Sequence, residues 1–168
     1  MAHVRALLVA GASLQPNDLL HWAITAPTAG VARFLIERGV PSENIDEESN
    51  TPLFHAVKYC AHECLDMLLA KGVDTGHVNG EGATILHWAA RHGDMRVLEV
   101  MRRWGFGAVD VGKRDGVGRT AMQMLENRTG RPVGMKEAIA ELANSVEDAN
   151  NEEKECFFDT EDELAIRE

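Results

Sequence analysis

The chain has 168 residues, is 45% hydrophobic and 26% charged, and carries a formal charge of −10. It can fill one ordinary core, but no run approaches the roughly 18 to 20 uninterrupted apolar residues of a membrane span, so direct membrane insertion is not expected. Ten acidic and two basic residues lie between Ser145 and Glu168, which leaves residues 1–144 near neutral at −2 and without a Lys and Arg cluster for nucleic-acid phosphates.

The first apolar stretch, "ALLVAGA" at Ala6 to Ala12, has the small-residue end of a secretory signal. Its ending recurs downstream. "FLIERGV", "MLLAKGV" and "VMRRWGF" place Gly39, Gly72 and Gly105 at steps of 33 residues, and residues 1–12 read better as the second half of the same unit. A second landmark runs in phase: "DLLHWAI" begins at Asp18, "TPLFHAV" at Thr51 and "TILHWAA" at Thr84, again 33 apart. Units therefore span about 18–40, 51–73 and 84–106, each predicted as two short helices.

Within a unit each position has a physical reason. Thr51 and Thr84 can cap the first helix through their hydroxyls, and Pro52 is tolerated in a first turn where its missing N–H has no partner. Ala56 and Ala89 let neighbouring helices approach, while Cys64, Leu65, Leu68 and Leu69 form the apolar stripe of the second helix. Gly72 and Gly105 end that helix where a positive φ is needed. A fourth unit, about 119–147, departs from the pattern: Thr120 follows Thr84 by 36, and Ala121 and Gln123 stand where Pro and His are usual. The loop "NRTGRPVG" delays its second helix to about Met135, with Met135, Ile139, Leu142 and Val146 on one face. Residues 148–168 form an acidic tail that is expected to be disordered.

A period of 33 with this T-P-L-H-x-A pattern resembles the ankyrin repeat. The resemblance implies an all-α solenoid of helix-turn-helix units with hairpin fingers over residues 1–147, read as a monomer. It implies a non-enzymatic scaffold or adaptor that binds a protein partner; the alternative is a regulatory fragment of a larger enzyme or signalling protein. In that family the face of the first helices lines a concave groove, which here selects the column Trp22, His55, Trp88 and Met124. Tyr59, Arg91 and His92 follow one turn later. Fingers around Asn44 to Glu48, His77 to Glu81 and Val109 to Arg114 would flank the groove. The competing reading packs the Trp rings between adjacent helices.

Three chemical readings are weaker. His21 and His87, each beside a Trp, are candidate catalytic bases, but no Ser or Cys nucleophile stands at a matching position and the resemblance makes each a hydrogen-bonding bridge between adjacent units. "YCAHEC" gives Cys60, His62 and Cys64 as soft ligands, with His55 and His92 as possible additions, yet zinc wants four in tetrahedral array and helical geometry turns Cys64 inward while Cys60 lies in the inter-helix loop, so core cysteine is the default. "GAVDVGKR", from Gly107 to Arg114, fits G-x-x-x-x-G-K but ends in Arg114, and it does not follow a strand or open a helix. No cofactor, metal or catalytic residue is therefore expected. With Cys156 the chain has three cysteines, too few for a disulfide framework and suited to the reducing cytoplasm or nucleus.

The tail segment "EKECFFDTEDE" places Phe157 and Phe158 in an acidic tract. It is similar to the two-phenylalanine acidic motif recognised by major-sperm-protein domains of VAP-type endoplasmic reticulum receptors. The resemblance makes Phe157 and Phe158 the aromatic pair and Asp159 and Asp162 the fixed acids. Cys156, Thr160 and Asp162 depart from its preferred residues. The alternative is that the Phe pair folds back on the last helix while Thr160 and Glu163 form a capping box.

Overall fold

A computed structural model describes residues 19–26, 29–105, 110, 112–130 and 132–142. The half-unit at 1–12 and the tail, with Phe157, Phe158, Asp159 and Asp162, lie outside the described residues. Helices follow in pairs: α1 (Leu19–Thr25) with α2 (Gly30–Glu37), α3 (Pro52–Lys58) with α4 (His62–Ala70), and α5 (Ile85–His92) with α6 (Met95–Trp104). α7 (Ala121–Glu126) comes next, and a last helical stretch begins at residue 135 and runs through 142, as the delayed apolar face predicts. The described residues contain no strand, and none of their helices is long and apolar enough to cross a membrane.

The helices form two layers. α1 packs on α3, α3 on α5 and α5 on α7 in one layer, while α2 packs on α4 and α4 on α6 in the other. None of these helices is long enough to be stable alone in water, so the apolar faces that meet across the layers supply the stability. α5 shows the demand most plainly, with Ile85, Leu86, His87, Trp88, Ala89 and Ala90 all buried. α6 is amphipathic instead: Val97, Leu98, Val100 and Met101 face the core. Its Asp94 cap accepts the Val97 N–H at 2.8 Å, and Arg102 and Arg103 lie in the last turn, where cations suit the helix dipole. Ala56 and Ala89 are fully buried between neighbours, as their small size requires.

Gly39, Gly72 and Gly105 close α2, α4 and α6 with φ of 78°, 72° and 67°. Thr capping is less uniform than expected. Thr120 accepts the Gln123 N–H at 3.3 Å while Gln123 Oε1 accepts the Thr120 N–H at 3.0 Å. The Thr84 N–H donates to His87 Nδ1 at 3.2 Å. Thr51 makes no side-chain cap; its hydroxyl is buried without a partner.

Between units the chain turns on a repeated side-chain device. Asp46, Asn79 and Asp115 each accept two backbone N–H groups, from residues two and four further on: Glu48 and Asn50, Glu81 and Ala83, Val117 and Arg119. These Asx turns stack. The Gly80 N–H donates to the Glu48 carbonyl at 2.9 Å, and the Gly116 N–H to the Glu81 carbonyl at 2.8 Å. Gly82 stands at φ +71°, and a Cβ there would lie 2.8 Å from the Gly116 backbone nitrogen, whereas a Cβ at Gly39 would meet nothing within 4 Å. Gly82→Ala is therefore expected to cost about 2 to 3 kcal/mol, conformational strain plus a backbone clash. Gly39→Ala should cost only about 1 kcal/mol, from conformation alone. Equal urea midpoints for the two variants would contradict the stacked-turn geometry.

Candidate functional site

The bridging histidines set the register of the inner layer. His21 Nε2 donates to the Asn50 carbonyl at 3.1 Å, and His87 Nε2 to the Arg119 carbonyl at 3.0 Å, each reaching the turn of the next unit. The His87 tautomer follows from its other nitrogen, which accepts the Thr84 N–H. In the second unit Phe54 takes this position, and the bridge is made elsewhere. Its ring meets His77 and Trp88 edge-on at 6.0 and 5.5 Å, while His77 Nε2 donates to the Ser49 carbonyl at 2.9 Å and Asn79 Nδ2 to Asn50 Oδ1 at 2.8 Å.

The selected column divides into two environments. Trp22 and Tyr59 are 60% and 50% exposed, whereas Trp88 and Met124 are 4% and 8% exposed and belong to the core. Trp88 is enclosed by the Phe54 edge, by His92 at 5.1 Å and by the Lys58 ammonium at 5.4 Å from its ring. Trp88 is therefore packed between helices, as the competing reading has it for the Trp rings, and Met124 is buried too, while the side chains of Trp22 and Tyr59 stand open to solvent. Arg91 is exposed and reaches Glu81 at 3.5 Å, a weak surface pair. His92 is half-buried, and burial pushes its imidazole pKa down.

Trp22 and Tyr59 border an open cleft of about 490 Å³ shared with His21, His55, Lys58 and the turn residues Asp46 to Glu48. α1 and α3 supply its floor and the Asx turn supplies its rim. Asp46 is the pivot. Its Oδ2 accepts from His55 Nε2 at 2.8 Å and from Asn50 Nδ2 at 3.2 Å, besides the two backbone bonds of the turn to Oδ1. Burial raises its pKa, but the hydrogen bonds from His55, Asn50 and Glu48 outweigh that and hold the carboxyl below its ordinary value. Burial dominates at His55 and lowers its pKa, against the opposing pull of the Asp46 carboxylate. The Lys58 ammonium lies 5.6 Å from the Tyr59 ring and bridges the exposed and buried aromatics. Lys58 had no place in the residue pattern of the groove, and Asp46 entered it only as part of the finger Asn44 to Glu48. The in-phase series Asp46, Asn79, Asp115 was the signal for the turn, and only the folded chain shows that its first member faces His55.

Cys64 points into the core, as expected, and leaves the His62 group. Cys60, His62 and Asp94 come together instead, with His62 Nε2 at 3.0 and 2.9 Å from the two Asp94 oxygens. The Asp94 carboxylate is already committed as the α6 cap. Of the G-x-x-x-x-G-K segment, Gly112 to Arg114 lie in the irregular stretch before α7, and no strand precedes them among the described residues.

Residues 53–102, from the start of α3 into α6, match the family model described as ankyrin repeats (many copies). The chain is 27% identical over 95 residues to inversin from Homo sapiens, an alignment that covers 56% of this chain and 9% of inversin. It is 34% identical over 135 residues to the E3 ubiquitin-protein ligase KEG from Arabidopsis thaliana, covering 73% of this chain and 8% of the ligase. It thus spans less than a tenth of the length of these two relatives.

Proposed function

Because the chain belongs to the ankyrin-repeat family, whose repeats are protein-interaction modules, we propose that it is a non-enzymatic scaffold or adaptor that captures a partner protein in the cleft between α1 and α3. The observation that carries this reading is the exposure of Trp22 and Tyr59 on either side of that cleft. Exposed aromatics on a rigid floor bind with little ordering cost, and such residues dominate interface energies. Glu47 and Glu48 at the rim favour a partner segment with an apolar side chain flanked by Lys or Arg. Two free thiols, Cys60 and Cys64, support action in the cytoplasm or nucleus. Recruitment to an endoplasmic reticulum receptor through Phe157 and Phe158 is a separate proposal that rests on the tail sequence alone.

The test is to isolate the partner by affinity capture with the intact chain and then to titrate it against variants. Trp22→Ala and Tyr59→Ala should each weaken binding by about 1 to 2 kcal/mol, roughly 5- to 30-fold, with melting temperature nearly unchanged. Unaltered affinity in the double variant would move the interface to another face.

A further inference from the structure

The loop between α3 and α4 meets the start of α6 in a cluster that groove binding does not use. Cys60 stands in that loop at φ 50°, a region that favours glycine, and the equivalent residue of the next unit, 33 positions on, is Gly93. Its half-buried thiol donates to the His92 carbonyl at 3.7 Å and also faces the Asp94 carboxylate. His62, the first residue of α4, brings Nε2 to 3.0 and 2.9 Å from the two Asp94 oxygens. Thiol and imidazole of the second unit thus reach one carboxylate of the third.

We propose that Cys60, His62 and Asp94 form a site for a divalent cation of the zinc class, which clips the second unit to the third. One ligand atom from each lies within 4.8 Å of the other two, and the imidazole offers the nitrogen that already faces the carboxylate. Zinc bonds of about 2.0 to 2.2 Å to nitrogen and oxygen put tetrahedral ligands about 3.3 Å apart, so that pair opens by only a few tenths of an ångström. Asp94 Oδ1 keeps the Val97 N–H while Oδ2 turns to the metal. The thiol proton leaves to solvent, and the imidazole carries its remaining proton on Nδ1. Thiolate and carboxylate together bring two negative charges, which a divalent cation neutralises. Burial and the Asp94 charge raise the Cys60 pKa, whereas the Arg128 guanidinium, seated on the Ala90 and Gly93 carbonyls, favours the thiolate. An open cleft of about 450 Å³ borders Tyr59, Cys60 and His62 and leaves the fourth position to water. Thiolate with imidazole selects zinc over calcium or magnesium, which take oxygen ligands.

The His21, His55 and Asp46 group offers no such meeting point, because Asp46 lies on Nε2 of His55, away from its unpartnered Nδ1. The experiment titrates the reduced, chelator-treated full chain with Zn²⁺ alone by calorimetry, and in parallel with Co²⁺ by absorption. One saturable equivalent is expected, with a near-ultraviolet thiolate charge-transfer band in the cobalt spectrum. Cys60→Ser should weaken binding at least about a hundredfold and remove the band, and Asp94→Asn, which keeps a capping oxygen for α6, should weaken it at least about tenfold. Cys64→Ser, Cys156→Ser and His55→Gln should leave it unchanged. In the unmodified protein, the ¹⁵N ring resonances of His62 should move on zinc addition while those of His21 and His55 stay. The proposal is overturned if no saturable binding appears up to about 100 μM Zn²⁺. It is equally overturned if binding survives Cys60→Ser, if the band is absent or is lost with Cys64 or Cys156 instead, or if the His62 resonances do not respond.

Discussion

Ala89→Asp is expected to be the most damaging single change in the stack, lowering stability by about 3 to 5 kcal/mol. Ala89 has no exposed surface in the middle of α5. α5 packs against both α3 and α7, so a carboxylate there reaches neither water nor a cation and disturbs two interfaces at once. Since repeat stability is close to a sum of units and nearest-neighbour interfaces, the defect should propagate along the array. Against a typical total of about 5 to 15 kcal/mol the loss is severe, and the melting temperature should fall on the order of 10 °C or more. The comparison is a thermal melt of the variant beside the exposed change Arg91→Asp. A melt indistinguishable from the parent would mean that α5 is not packed in this register.

The second large effect is at Trp88. Its position in the column resembles that of Trp22, yet truncation should be felt in the fold. Removing a ring enclosed by Phe54, His92 and Lys58 leaves a cavity, and Trp88→Ala should cost about 3 to 5 kcal/mol. The indole N–H is buried without a hydrogen-bond partner, so the loss belongs toward the lower end of that range. Urea denaturation should show a lower midpoint with an unchanged slope, while Trp22→Ala barely moves it. A Trp88→Ala protein of parental stability that had lost partner affinity would reverse this assignment.

Most of the helical architecture was legible in the residues. The step of 33 between Gly39, Gly72 and Gly105, and between the blocks at Asp18, Thr51 and Thr84, requires one supersecondary unit to recur. The roles that depend on short-range geometry followed: the glycines do take positive φ, and Cys64 does turn inward. His21 and His87 do bridge to the next turn, as the family resemblance implied. Thr51 is the exception, because its hydroxyl finds no partner although Thr120, at the same position of its unit, caps its helix.

Exposure within the groove column was not legible. A residue on an inner helix is covered or open according to what the neighbouring unit supplies, and that neighbour is some 30 residues away in the chain. Phe54 and Lys58 cover Trp88, while Trp22 has no comparable ring or cation contact among the described residues. The same reason hid the cluster at the cleft floor. Asp46 belongs to the turn, His55 to α3 and His21 to α1, and each has a sufficient local role in its own segment. Sequence determined the repeat, the helix ends and the residue types available at each layer. Tertiary structure alone decided which of those residues meet, because stacking converts a distance of one repeat along the chain into a side-chain contact.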